Sequence, residues 1–401
     1  MSSTGPQRED EFGLLCALAS AKMTAGQIER IASWNFSGLD WNEIIRLAEH
    51  HGVLPLAARN LIEHGRGLPP EIEHTLRSAY ELNLKRGLWF AAELARVIRH
   101  LDRWAAEHGQ GDHAQADRQQ FPVLPFKGPM LAQSLYGDPG LRSFSDLDLL
   151  ISSTDFGRAK QALAEIGYSP AKTLDPAVER FWLQNGYEQS FNAAAGDNLL
   201  ELQWALLPYF YAVDLNVENL LARSGHAVVG GYHMRCLSAE DSVIVLSLHA
   251  AKHLWGRLIW LIDIAETLRS GSIDYGLVFS NARILGIARI LGVTFWLVKN
   301  VLHAGLPDAA EEMIASDPVA SVLGQEFAAR LRRAATYDFE STEYFRLILK
   351  LRERSGDRWR YFWRLFWTPG EGDLAALRLP EAIFPFYRVV RMARLMAKPF
   401  H

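Results

Sequence analysis

Cysteine is nearly absent from this 401-residue chain: Cys16 and Cys236 are the only two, far apart and without metal-ligand spacing. A disulfide framework and a cysteine zinc site are thereby excluded, and a reducing compartment is the natural expectation. No stretch approaches about 18 uninterrupted apolar residues, so no segment is expected to span a bilayer. The opening MSSTGPQRED lacks the basic flank and apolar run of a secretory signal, and we expect a cytoplasmic protein. Positive charge is not in excess either. A net charge of -4 argues against polyanion binding over the whole surface and leaves room only for local basic patches. What remains is the balance of a folded protein, 49% hydrophobic and 22% charged. The length accommodates two or three units of about 100 to 200 residues each.

The apolar spacing is helical from Glu9 to about His108, with Pro69 and Pro70 opening the second half of that block where a helix tolerates proline best. A polar stretch, GQGDHAQADRQQ, has no periodicity and reads as a loop. The character then changes. FPVLPF (Phe121 to Phe126) predicts a short strand, Pro129 to Tyr136 a helix, and SDLDLLIS a second strand. TDFGRAKQALAEIGY predicts a helix capped by Thr154 and stopped by Gly167. YEQSFNA and NLLELQWAL, joined by a turn containing Gly196, predict a strand pair. Helices return from Ser238, where Ser238 and Asp241 resemble a capping box. The expected fold is therefore α+β and mostly helical, divided into an N-terminal helical region (1–110), an α/β core (121–236) and a C-terminal helical domain (237–401).

The stretch KGPMLAQSLYGDPGLRSFSDLDLLI, Lys127 to Ile151, carries the chemistry. Alternate residues of a strand share a face about 6 to 7 Å apart, so Asp146 and Asp148 project together and Leu147 and Leu149 oppose them. Two carboxylates held this close repel, and neither is buried unpaired without a heavy cost. A solvated strand edge is one resolution. A divalent cation is the other, and magnesium takes one or two protein carboxylates and completes its shell with water and phosphate. Lys127 and Gly128 stand at a strand-to-helix junction that can receive an anion. Glu201, in LLELQW, supplies a third acid on a strand. Together these are the parts for two-metal phosphoryl or nucleotidyl transfer.

These residues resemble the uncharacterised nucleotidyltransferase family of the DNA polymerase β superfamily. The likeness rests on Lys127-Gly128, on Leu135-Tyr136-Gly137-Asp138-Pro139-Gly140 with Arg142, and on Asp146-Leu147-Asp148. It extends more weakly from about Trp41 to the C-terminus and sharpens again in EDSVIVLSLHAAKHLWGRLIWLIDIAETL. The superfamily's usual glycine-serine or glycine-glycine pair is lysine-glycine here, as in this family. On the third strand Glu201 and Gln203 stand where relatives often carry aspartate and then histidine. The resemblance implies a small polymerase β-like core with a mixed sheet, flanked by the two helical blocks. It implies transfer of a nucleoside monophosphate from a nucleoside triphosphate such as ATP to an acceptor hydroxyl. Asp146, Asp148 and Glu201 would hold two Mg2+ ions, or Mn2+, with Lys127, Gly128 and Arg142 at the nucleotide. The acceptor is a small molecule, a protein or RNA, and the sequence does not choose. The alternative is a module with the same fold that binds nucleotide or a partner without turnover.

His249 and His253 lie four apart, so on a helix they share a face that continues through Arg257, Trp260 and Asp263. Ala250 replaces the glutamate that a zinc-protease helix requires, so a partly buried histidine pair stands against a cleft wall opposite the carboxylates. His249, Lys252, His253, Arg257 and Asp263 are the substrate-cleft candidates, and Trp255 or Trp260 offers a ring on which a base can stack. The C-terminal YRVVRMARLMAKPF is basic and amphipathic through Arg388, Arg391, Arg394 and Lys398. It is read as a solvated face over an apolar underside, with a membrane surface or RNA as the rival partners.

Overall fold

The computed structural model describes residues 10–108, 120–194, 196–270, 273–336, 338 and 341–397. Nine of the ten residues of MSSTGPQRED, the expected loop at 109–119 and Lys398 lie outside the described residues. The chain is 64% helical with one five-stranded mixed sheet, so it is α+β and mostly helical as the sequence predicts.

Five helices come first: α1 (Glu11–Ala17), α2 (Ala25–Ala32), α3 (Trp41–His50), α4 (Leu54–His64) and α5 (Pro70–His108). Local chemistry sets their starts. Asp40 accepts the Asn42 and Glu43 amides and so caps α3, while α5 begins at Pro70 with Glu71 and Glu73 in its first turn. The α/β unit follows, with β1 (Val123–Pro125), α6 (Pro129–Leu131), β2 (Leu147–Ile151), α7 (Phe156–Glu165), β3 (Ser169–Pro170), α8 (Pro176–Asn185), β4 (Glu188–Ala193) and β5 (Gly196–Gln203). After α9 (Val217–Ala222), β6 (Gly225–Val229) and β7 (Tyr232–Cys236) form a separate hairpin.

The C-terminal helices are α10 (Ala239–Lys252), α11 (Leu258–Ser270), α12 (Tyr275–Leu285), α13 (Ala288–Leu302) and α14 (Asp308–Ser316). They continue with α15 (Pro318–Arg332), α16 (Thr342–Leu351), α17 (Ser355–Trp367), α18 (Glu371–Ala376) and α19 (Tyr387–Ala397). Among the described residues no helix is long and apolar enough to cross a membrane.

The sheet order is β1-β2-β5-β4-β3; β2 and β5 run parallel and the other pairs antiparallel. One face is greasy throughout. Leu147, Leu149, Leu200 and Leu202 pack on Phe90, Leu94 and Val97 of α5, which makes that long helix the floor of the α/β unit. The other face is apolar only at one end, where Leu124 and Leu150 meet Val217 and Val245. Its middle is left to charged residues. The N-terminal and C-terminal helices share a core, in which Leu47, Leu56 and Leu61 pack in one cluster with Leu246, Trp255, Ile262, Phe295 and Leu347.

Two local expectations are corrected. Thr154 is not the cap of the helix after β2: a 3-10 turn intervenes at Ser153–Asp155, and the Ser152 hydroxyl accepts the Thr154 amide. The Ser238 hydroxyl does cap α10 by accepting the Asp241 amide, but the Asp241 carboxylate turns away to pair with Arg223. The helix expected from Pro129 to Tyr136 is present, its last five residues, Ala132–Tyr136, wound as a π-turn.

Candidate functional site

The segment between α6 and β2 is held from below. The Tyr80 hydroxyl of α5 donates to Asp138 at 2.7 Å, and the Asn83 amide donates to the Gly140 carbonyl at 2.8 Å. A side chain at Gly87 would place its Cβ 2.2 Å from the Pro139 carbonyl oxygen, so glycine alone permits this contact between helix and turn. The Leu-Tyr-Gly-Asp-Pro-Gly run thus fixes the approach to β2. Gly128 has φ +53, and a Cβ there would meet the Asp146 carbonyl oxygen at 3.0 Å. That glycine brings the turn after β1 directly against the aspartate pair.

Register then assembles the acids. Because β2 and β5 are parallel neighbours with Asp148 opposite Glu201, their side chains emerge side by side on one face. The amide nitrogen of Gln203 donates to Asp148 at 3.1 Å and to Glu201 at 3.0 Å, so both carboxylates reach one amide. Lys127 closes on Asp148 at 2.8 Å, an ion pair with both partners mostly buried. Burial and the neighbouring Asp148 push the Asp146 carboxyl up to about 6. Burial, Glu188 and then Asp148 push Glu201 up to about 7. Glu188, which the sequence reading missed, follows from pairing: β4 sets it opposite Gln203 on the same face. Among the described residues no group of three or more His, Cys, Asp or Glu side chains is arranged to hold a metal ion. Asp148 is instead engaged by Lys127 and Gln203.

The acid face opens on a cavity of about 630 Å³, lined by Lys127, Gly128, Asp146, Asp148, Glu188 and Glu201 on the sheet side. Opposite stand His249, Lys252, His253, Arg257 and Trp260. These do not lie on one continuous helix. α10 ends at Lys252, and Leu254 and Trp255 both take positive φ near +50 before α11 starts at Leu258. The reversal nevertheless brings His249, His253 and Trp260 together, with ring centroids 4.9 to 5.4 Å apart. Burial and the nearby cations push both histidines well below the ordinary range, so each is neutral at pH 7. Arg257 lies over the Trp260 ring at 5.8 Å. Lys252 lies 4.3 Å from the Tyr187 ring centroid and donates to the Tyr187 hydroxyl at 3.2 Å.

Three expected cleft residues sit differently. Trp255 is fully buried and donates to Thr294, so it is core and offers no stacking face. Asp263 does not line the cavity; it is 1% exposed and accepts from the Tyr136 hydroxyl at 2.8 Å. Arg142 meets the same carboxylate through Nε at 2.9 Å and a terminal nitrogen at 2.8 Å. The guanidinium expected at the phosphates thus lines the cavity while being paired with buried Asp263. Tyr187 and Tyr344 also line the cavity and had no signature in the sequence, since a tyrosine on a strand edge or a helix reads first as core.

The model of an uncharacterised nucleotidyltransferase family matches residues 37–108 and 113–303, which ends short of the C-terminal extent the sequence suggested. No curated protein and no solved structure matches the chain. The family match covers more than half of the chain and includes Lys127, Asp146, Asp148, Glu201, His249 and His253, and the protein belongs to this uncharacterised nucleotidyltransferase family.

Proposed function

We infer that the protein transfers a nucleoside monophosphate from a nucleoside triphosphate to an acceptor hydroxyl, with Mg2+ held by Asp146, Asp148 and Glu201. The observation that carries this reading is the register of β2 against β5, which sets Asp148 beside Glu201 with Asp146 next along the chain. The donor chemistry suits the ion, since all three are hard carboxylate oxygens, and burial first and neighbouring carboxylates second raise Asp146 and Glu201; the three side chains would have to close on one point, with Lys127 leaving Asp148, to hold it. Bound magnesium supplies neutralisation of charge on the phosphate and acceptor oxygens. The chain's own residues do the rest. Lys127 exchanges Asp148 for a phosphate oxygen, Gly128 admits the phosphates close to the backbone, and Arg142 holds the turn before β2 through Asp263. His249 and His253, uncharged, border the acceptor side and add no repulsion to an incoming cation.

A second reading, a nucleotide-binding module without turnover, is favoured by one observation. The Lys127 ammonium stands 2.8 Å from Asp148, where a cation would otherwise serve. Incubation with labelled nucleoside triphosphates, Mg2+ and a cell extract separates the two, alongside calorimetric nucleotide binding. Wild type should label an acceptor and Asp148→Asn should not. Binding with no label on any acceptor establishes the second reading, and absence of binding removes both.

A further inference from the structure

Helix α17 has two apolar faces. Tyr361 and Leu365 point inward and are buried in the helical core. On the outer side Trp359 is 65% exposed, Trp363 52%, and Phe362 and Trp367 are also open to solvent. The neighbouring α19 and the turn before it extend this surface with Phe386, Val389 and Met396, all exposed. Exposed aromatic clusters of this extent on a folded chain mark a contact surface.

Its charge says what the contact is. Helices α17 and α19 together hold six arginines and one aspartate, Asp357, which is buried, although the whole chain is net -4. Arg360 and Arg364 pair with Asp214, and Arg394 and the buried Arg391 with Asp373. Arg358 and Arg388 stand exposed at the rim, Arg388 over the Trp367 ring. A second copy of the chain would set cation against cation across a self-complementary contact. Single-stranded nucleic acid needs free ring faces. Here Trp359, Trp363 and Trp367 stand in a row with near-parallel rings, at interplanar angles of 25° and 17° and centroids 6.4 and 5.1 Å apart, so the inner faces are turned toward one another rather than out to solvent. Edges of tryptophan beside valine and methionine, ringed by arginine, suit the headgroup region of a bilayer.

We propose that the outer faces of α17 and α19 dock this protein on the surface of an anionic membrane, without crossing it. The docking face adjoins the cavity: Thr368 and Gly370, just beyond Trp367, and Arg391 of α19 line it. The proposal stands independently of nucleotidyl transfer.

The test is flotation of the full-length protein with vesicles of phosphatidylcholine alone and of phosphatidylcholine mixed with phosphatidylglycerol. Wild type should float with the mixed vesicles, less with the neutral ones, and less as salt rises. The double substitution Trp359→Ser, Trp363→Ser should lower the vesicle-bound fraction about tenfold. It should leave the unfolding midpoint in place, because these rings point outward. Arg358→Glu with Arg388→Glu gives a second arm that spares the aromatic surface, and it should reduce binding to anionic vesicles alone. Failure of wild type to float with either vesicle overturns the proposal. So does light scattering that shows the tryptophan substitutions splitting a dimer, or single-stranded RNA binding that falls with those substitutions while flotation does not.

Discussion

The buried carboxylates of the family segment are treated in two opposite ways. Asp263 is closed off: the Arg142 fork meets it through two nitrogens, the Tyr136 hydroxyl adds a third donor, and it does not line the cavity at the acid face. Asp146, Asp148 and Glu201 are left with surplus charge, met by the Lys127 ammonium and the Gln203 amide and open to about 630 Å³ of space. The first arrangement makes a rigid joint. The second retains repulsion that a ligand can relieve, which is what separates a binding site from a structural pair.

Breaking the open group should change chemistry and spare the fold. Asp148→Asn keeps size, removes one charge and should lower single-turnover transfer by at least about 1000-fold, the scale of losing an electrostatic group at a transition state. Nucleotide affinity should weaken less than rate, and the unfolding midpoint should hold or rise as like-charge repulsion falls. Transfer near the wild-type rate would remove Asp148 from the catalytic assignment.

Breaking the closed group should do the reverse. Asp263→Asn leaves the Arg142 guanidinium buried against a neutral amide, and such half-pairs cost about 3–5 kcal/mol. Denaturant unfolding measures it. A loss under 1 kcal/mol, on the order of a surface pair, would show that the joint is not structural.

The histidine wall sits between these extremes. His253→Ala removes a ring that borders the cavity beside Trp260 without opening the helical core. Transfer should fall about tenfold, in the range of a positioning contact, while the midpoint moves little. Equal loss of rate and stability would assign the ring to packing.

Much of this contrast was legible in residue order. Period-two patterning gave β2 with Asp148, although Asp146, expected inside the strand, lies one residue before it; helical spacing gave both flanking blocks, and Glu201 stood out as an acid in an apolar strand. The partner of Arg142 was not legible, because Asp263 lies 121 residues away and only tertiary packing decides whether an arginine meets a phosphate or a carboxylate. The break in the histidine helix was hidden for a local reason: Leu254 and Trp255 are not residues that announce a left-handed backbone. Glu188 was invisible because its role depends on the register of β4 against β5, which no spacing along one strand encodes.

The smallest effect is a pH dependence that tests the surplus charge itself. In the metal-free protein, kept so with a chelator, the carboxyl of Glu201 titrates at about 7 against an ordinary 4.5, chiefly because it is buried and then because Glu188 and Asp148 lie near. The folded chain therefore holds a proton that the unfolded chain has already released. Stability from this group is present below about pH 4.5 and is lost as pH rises through 7. Buried histidines act in the opposite sense, since His51, pushed down to about 3 by burial, favours the folded state above its ordinary 6.5 and weakens it as pH falls. A difference between wild type and Glu201→Gln cancels the histidine contribution. At pH 5 the two midpoints should lie close together, and by pH 8 the variant should be the more stable by a few degrees. Added Mg2+ should narrow the gap by stabilising wild type, because the ion favours the deprotonated carboxylate. A midpoint difference that does not vary with pH would mean that Glu201 carries no raised carboxyl, and the acid face would then be no different from the paired site around Asp263.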